Sequence, residues 1–118
     1  MVNQLSITLV TFGFKYGIPR CNFYFDVSFF KNPAREEGKT LFSEIDDDMV
    51  KLIQSDAILE DFIESICRVI LIASQRDKIV CGIGCNSGRH RSRIIAELIR
   101  QRVVNSGLKC EVIHQDLE

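Results

Sequence analysis

The densest run of side chains able to do chemistry is the loop Gly84–Cys85–Asn86–Ser87–Gly88–Arg89–His90–Arg91–Ser92. An apolar stretch, Ile79 to Ile83, leads into it, and an amphipathic stretch, Arg91 to Asn105, follows at once. That is the pattern of a buried strand turning into a helix. At such a turn the first helical amides have no internal partners and point outward, where they bind anions. Gly82, Gly84 and Gly88 are expected to let the backbone approach a bound group closely. Arg89, His90, Arg91 and Arg93 stand where a helix start favours acids, and each exposed cation there costs about 0.3–1 kcal/mol against the macrodipole. A bound anion resolves the conflict, because it interacts favourably with amides and guanidinium groups alike. The expected chemistry is therefore the holding of phosphate, sulfate or a small phosphorylated metabolite.

Two other chemistries fit the same stretch. Cys85, five intervening residues, Arg91 and Ser92 reproduce the Cys-x5-Arg-Ser/Thr pattern of protein tyrosine phosphatases and their relatives. There a thiolate attacks phosphorus while arginine and loop amides hold the phosphoryl group, and cations beside a helix start favour the thiolate form. In this alternative Cys85, Arg91 and Ser92 are catalytic. Gly84 stands where those enzymes usually carry histidine, and Asp26, Asp46, Asp47 and Asp48 are the candidates for a general acid. The other chemistry is RNA binding, with Arg89, Arg91, Arg93, Arg100 and Arg102 forming a basic strip that contacts successive phosphates. No aromatic residues interleave with those arginines to stack bases.

These residues need elements to position them. Leu5 to Phe12 and Phe23 to Phe29 read as strands, the first ending at Gly13 and the second stopped by Asn32–Pro33. Phe14 to Pro19 is turn-rich, and Ala34 to Thr40 reads as an exposed loop. Ser43 followed by Glu44, Asp46, Asp47 and Asp48 suits a helix start, with Met49, Leu52 and Ile53 on its apolar face. Ile58, Leu59, Phe62, Ile63, Ile66, Val69, Ile70 and Ala73 form a broad stripe along a longer helix. Ile94, Ile95, Leu98, Ile99 and Val103 make the apolar face of the helix after the loop, which Gly107 caps. Lys109 to His114 is a last strand. The order predicts a single α/β domain over 1–118, with a central, mostly parallel sheet of about four strands flanked by helices.

Composition narrows the classes of function. The net charge is −1, so attraction to nucleic acid must come from a local cluster. Five cysteines without paired CxxC spacing suggest neither a disulfide framework nor a zinc site, and no metal or cofactor is expected. Reduced thiols point to a cytoplasmic protein. The N-terminus has no secretory pattern, and Phe62 to Ala73, broken by Glu64 and Arg68, is too short for a membrane span. The oligomeric state is open, a homo-oligomer among the options.

With these residues laid out, the chain resembles the C-terminal domain of the RapZ family, the RNase adapter proteins. Four segments carry the resemblance: Phe12–Gly13–Phe14–Lys15–Tyr16–Gly17–Ile18–Pro19; Phe25–Asp26–Val27 through Phe29 with Asn32–Pro33; Ile83–Gly84–Cys85 with Gly88, His90, Arg91 and Ser92; and His114 with Asp116–Leu117–Glu118. The resemblance implies an α/β domain that binds a small phosphorylated ligand, an amino-sugar phosphate in the best understood members. It also implies a regulatory role with small RNAs and protein partners. Carried over, Cys85, Asn86, Ser87, Gly88 and Arg91 form the phosphate cradle, with Arg89 and Ser92 beside it. Gly13, Lys15 and Tyr16 close the pocket from the other side, and His90 and His114 lie at its edge. Ser28 stands where the family generally has arginine, and Ser87 where it usually has glycine. The family's P-loop nucleotide-binding domain has no counterpart, since GxxxxGK[ST] is absent; the chain reads as a stand-alone C-terminal domain, and nucleotide binding is not carried over.

Overall fold

A computed structural model describes residues 6–116. Leu5, Leu117 and Glu118, which the sequence reading included, lie outside the described residues. Strands β1 (Ile7–Gly13), β2 (Phe23–Asp26), β3 (Ile79–Cys85) and β4 (Cys110–His114) form one sheet in the order β2-β3-β1-β4, every neighbouring pair parallel. Helices α1 (Pro33–Glu36), α2 (Asp47–Gln54), α3 (Leu59–Ser74) and α4 (Arg91–Asn105) complete the domain, with a single 3-10 turn at Phe14–Tyr16. The expected α/β architecture is the one observed.

Alternation along β1 and β3 divides the sheet into two unlike faces. Ile7 and Leu9 of β1, with Cys81, Ile83 and Cys85 of β3, join one core with Ile63, Ile66 and Ile70 of α3 and Ile95, Ile99 and Val103 of α4. Truncating any one of these isoleucines to alanine would cost about 2–5 kcal/mol. The opposite face carries aromatic rings instead of helices. Phe12 packs edge-on against Phe14 and Tyr24, with centroids 4.8 and 6.1 Å away. Gly82 and Gly84 leave the slot these rings occupy. A Cβ on Gly84 would lie 2.5 Å from the Phe12 ring and 2.8 Å from Phe14. Those two glycines, expected to admit a ligand, admit aromatic rings.

Several boundaries differ from expectation for local reasons. Asn32–Pro33 does stop β2, but it also starts a helix: the Asn32 side chain accepts from the amides of Ala34 and Arg35, and Pro33 occupies the first turn. The start of the predicted exposed loop is therefore α1, with Ala34 buried. The N-cap of α2 is Asp46, which accepts from Met49 N–H at 2.8 Å, three residues beyond Ser43. The stripe on α3 is narrower than the pattern suggested, because Val69 is exposed and Ile58, its N-cap, lies outside the buried face.

Connectivity creates the site. From the end of β3 the chain crosses through α4 to β4, passing β1. From the end of β1 it crosses back to β2 over the aromatic face, passing β3 and setting Cys21 beside Gly82. The two central strands thus send their connections in opposite directions, and ligands of open parallel sheets bind at the carboxyl ends of such strands. Gly13 and Cys85 are the paired ends of those strands.

Candidate anion-binding site

Gly88 decides the path of the loop. Its φ of 71° lies in the left-handed region that favours glycine. A Cβ there would also sit 2.6 Å from the Gly13 nitrogen. Reciprocally, a Cβ on Gly13 would fall 2.5 Å from the Ser87 carbonyl carbon. The end of β1 and the loop after β3 therefore touch backbone to backbone. Asp116 fixes the contact by accepting from Gly13 N–H at 2.7 Å, and Lys15 N–H donates to the Asn86 carbonyl at 3.3 Å.

The loop delivers α4 with its first turn uncapped by any side chain, His90 occupying the N-cap position. Beside it lies a cavity of about 220 Å3, lined by Cys85, Asn86, Ser87, Arg89, His90 and Arg91 from the loop and by Asn32, Arg35 and Leu41 from the α1 region. Most of the predicted cradle thus converges on one polar hollow. Arg35, Asn32 and Leu41 were missed by the sequence reading. Asn32–Pro33 was the available signal, since a helix start there puts Arg35 in the same first turn as the Asn32 cap.

The cations around this hollow are held differently. Arg91 is 8% exposed, and its guanidinium donates to the Ser28 carbonyl at 2.6 Å and the Phe30 carbonyl at 3.2 Å. It binds the β2–α1 connection to α4 and presents positive charge from within the wall. Arg89 lies over the Phe42 ring at 5.0 Å, with its Nε buried and unpartnered among the described residues. His90 is buried, and its Nε2 forms a 2.7 Å hydrogen bond with the Ser43 carbonyl, which ties the segment before α2 to the loop. The ion pairs among the described residues are Lys39–Asp46, Arg100–Glu97 and Arg102–Glu60. None of them neutralises Arg35, Arg89 or Arg91.

Cys85 is 3% exposed and its Sγ donates to Ser92 Oγ at 3.4 Å, so Ser92 lies behind the cysteine. Lys15 and Tyr16 are exposed on the 3-10 turn, the ammonium 5.2 Å from the Tyr16 ring centre, and do not line the hollow. Gly13 contributes backbone support. His114 lies elsewhere, in a second groove with Arg93. Arg100 and Arg102 already face Glu97 and Glu60. The cysteines are all free thiols; burial pushes Cys81 up to about 12 and Cys110 up to about 11. Among the described residues no helix is long and apolar enough to cross a membrane.

Residues 5–118 match the family model for the RapZ C-terminal domain. A nucleotide-binding protein of Clostridium kluyveri is 38% identical, covering all of this chain and 43% of the relative. One from Clostridium acetobutylicum is 32% identical over 98% of this chain and 42% of its own length. A third, from Thermotoga petrophila, is 31% identical over the whole chain and 46% of its own length. The chain thus spans less than half the length of these curated relatives. Among the described residues of the four segments, Gly13, Asp26, Cys85 and His114 end their parallel strands at the carboxyl edge of the sheet, and the chain belongs to the RapZ C-terminal domain family.

Proposed function

We propose that this domain is a regulatory sensor or adaptor that binds a small phosphorylated ligand, a sugar-phosphate-like anion, in the hollow at the start of α4. One observation carries the reading: Arg35, Arg89 and Arg91 surround a polar cavity at an uncapped helix start, and no carboxylate of the described residues pairs with them. Phosphate oxygens would accept from the loop amides, Arg35 and Arg89, with the positive charge of Arg91 behind them in the wall. Family membership supports the regulatory part, because in RapZ-like proteins this domain is a regulatory, adaptor region. Occupancy would be conveyed to a small RNA or a protein partner. With Ser28 in the family's arginine position, the ligand is not restricted to an amino-sugar phosphate.

Calorimetric titration with inorganic phosphate, sulfate and a hexose 6-phosphate tests the reading. Arg35→Ala and Arg89→Ala should each weaken binding about tenfold, the loss of one charge-assisted contact. No response from wild type, or equal affinity in both variants, would overturn it.

The 3.4 Å contact between Cys85 and Ser92 favours one other reading, a cysteine-dependent phosphatase. The Arg91 guanidinium, however, is directed at two backbone carbonyls, and the thiol is buried in the wall. Cys85 therefore serves better as a cradle residue than as a nucleophile. Aryl phosphate hydrolysis that disappears in Cys85→Ser would reverse this choice.

A further inference from the structure

A second cavity lies along α4, separate from the loop hollow. It measures about 350 Å3, toward the small end of ligand sites. Ile45, Val50, Ile94 and Leu98 give it apolar walls, and Arg93, Glu97, Gln101 and His114 bring polar groups to it. Arg93 is under-used where it stands. Its Nε is buried without an acceptor among the described residues, and NH1 makes only a 3.4 Å contact with the Arg89 carbonyl. Burial lowers its pKa and the charge of Glu44 opposes the shift, but no carboxylate of the described residues forms an ion pair with it. The adjacent carboxylate, Glu97, is taken by Arg100. His114 is oriented by a 2.7 Å hydrogen bond between its Nδ1 and Thr11 Oγ1, Thr11 itself being fully buried. That bond leaves Nε2 available.

We infer that this groove is a second ligand site, for a small monocarboxylate with an aliphatic body. The hydrocarbon would cover Val50 and Leu98, and the carboxylate would accept from Arg93, with His114 Nε2 as a second polar contact. A phosphate fits it less well. Its higher charge would be repelled more strongly by Glu97, which also lines the groove. The inference does not depend on what the loop hollow binds.

Amide-resolved NMR titration of the whole chain with 4-methylpentanoate tests it, with 4-methylpentanamide and sulfate as controls. The carboxylate should give saturable shifts at Arg93, Ile94, Leu98 and His114. The amide should bind about tenfold more weakly, and Arg93→Gln should lose a similar factor. Val50→Glu, which adds a repelling charge to the wall, provides an independent variant should Arg93→Gln fold poorly. Shifts confined to Cys85–Arg91, equal binding of acid and amide, affinity unchanged in both variants, or no saturable shift would each overturn the assignment.

Discussion

The loop hollow and the groove near His114 are built on neighbouring residues of α4 and differ in nearly every property that selects a ligand. The loop hollow is lined by backbone and by Arg35, Arg89 and Arg91, with Leu41 its one large aliphatic side chain. The groove near His114 has aliphatic walls and brings together one arginine, one glutamate, one glutamine and one histidine. Helical rotation separates them. At 3.6 residues per turn, two positions apart is about 200° around the axis, so Arg91 and Arg93 leave opposite sides of the same first turn. Arg91 turns inward to the Ser28 and Phe30 carbonyls, whereas Arg93 enters the groove. A cluster that reads as one basic motif therefore serves two places. The segment before α2 touches both: Leu41 lines the hollow, Ser43 bonds His90, and Ile45 lines the groove.

The contrast breaks most completely at Gly88. Gly88→Ala meets both a left-handed φ and a backbone collision with Gly13, so a loss of about 2–4 kcal/mol in urea unfolding is expected. Phosphate binding should vanish in the variant that remains folded. A stability change near zero would show that the loop tolerates another path.

Arg91→Lys comes next. The ammonium cannot reproduce the planar fork that reaches two carbonyls, so about 1.5–3 kcal/mol should be lost. Thermal unfolding measures it. Arg35→Ala, on an exposed residue, should leave stability within about 0.5 kcal/mol while weakening phosphate. Equal destabilisation by both changes would erase the distinction between wall and rim.

The smallest effect belongs to the groove. Burial first, and then the nearby charge of Arg93, lower the His114 pKa below 6.5, with Glu97 opposing. A depressed histidine favours the folded state above its unfolded value, and that contribution is lost as pH falls through the folded value. Wild type should therefore lose more stability than His114→Gln below about pH 6.5 in urea unfolding at fixed ionic strength. Parallel pH curves would remove His114 from the account.

Much of the fold was legible because its signals are local. Ile79 to Ile83 and Arg91 to Asn105 announce a strand and a helix by their patterns, the strand itself running on to Cys85, and Gly107 marks the end of the helix. The short α1 was missed although Asn32–Pro33 is a helix start, because a four-residue helix has no periodicity to display. The α3 stripe was drawn too wide, since apolar composition does not say which side the sheet will cover.

The sequence by itself determined that a glycine loop joins a buried strand to a helix beginning in cations. Backbone conformation, helix polarity and hydrophobic period are properties of adjacent residues. Only the tertiary structure decided what each residue meets. It set Gly13 against Ser87, aromatic rings against Gly82 and Gly84, Arg35 at the hollow, and His114 in a different groove. Those contacts join residues distant in the chain, and they follow from strand order and from the rotation of α4 against the sheet, neither of which a local pattern encodes.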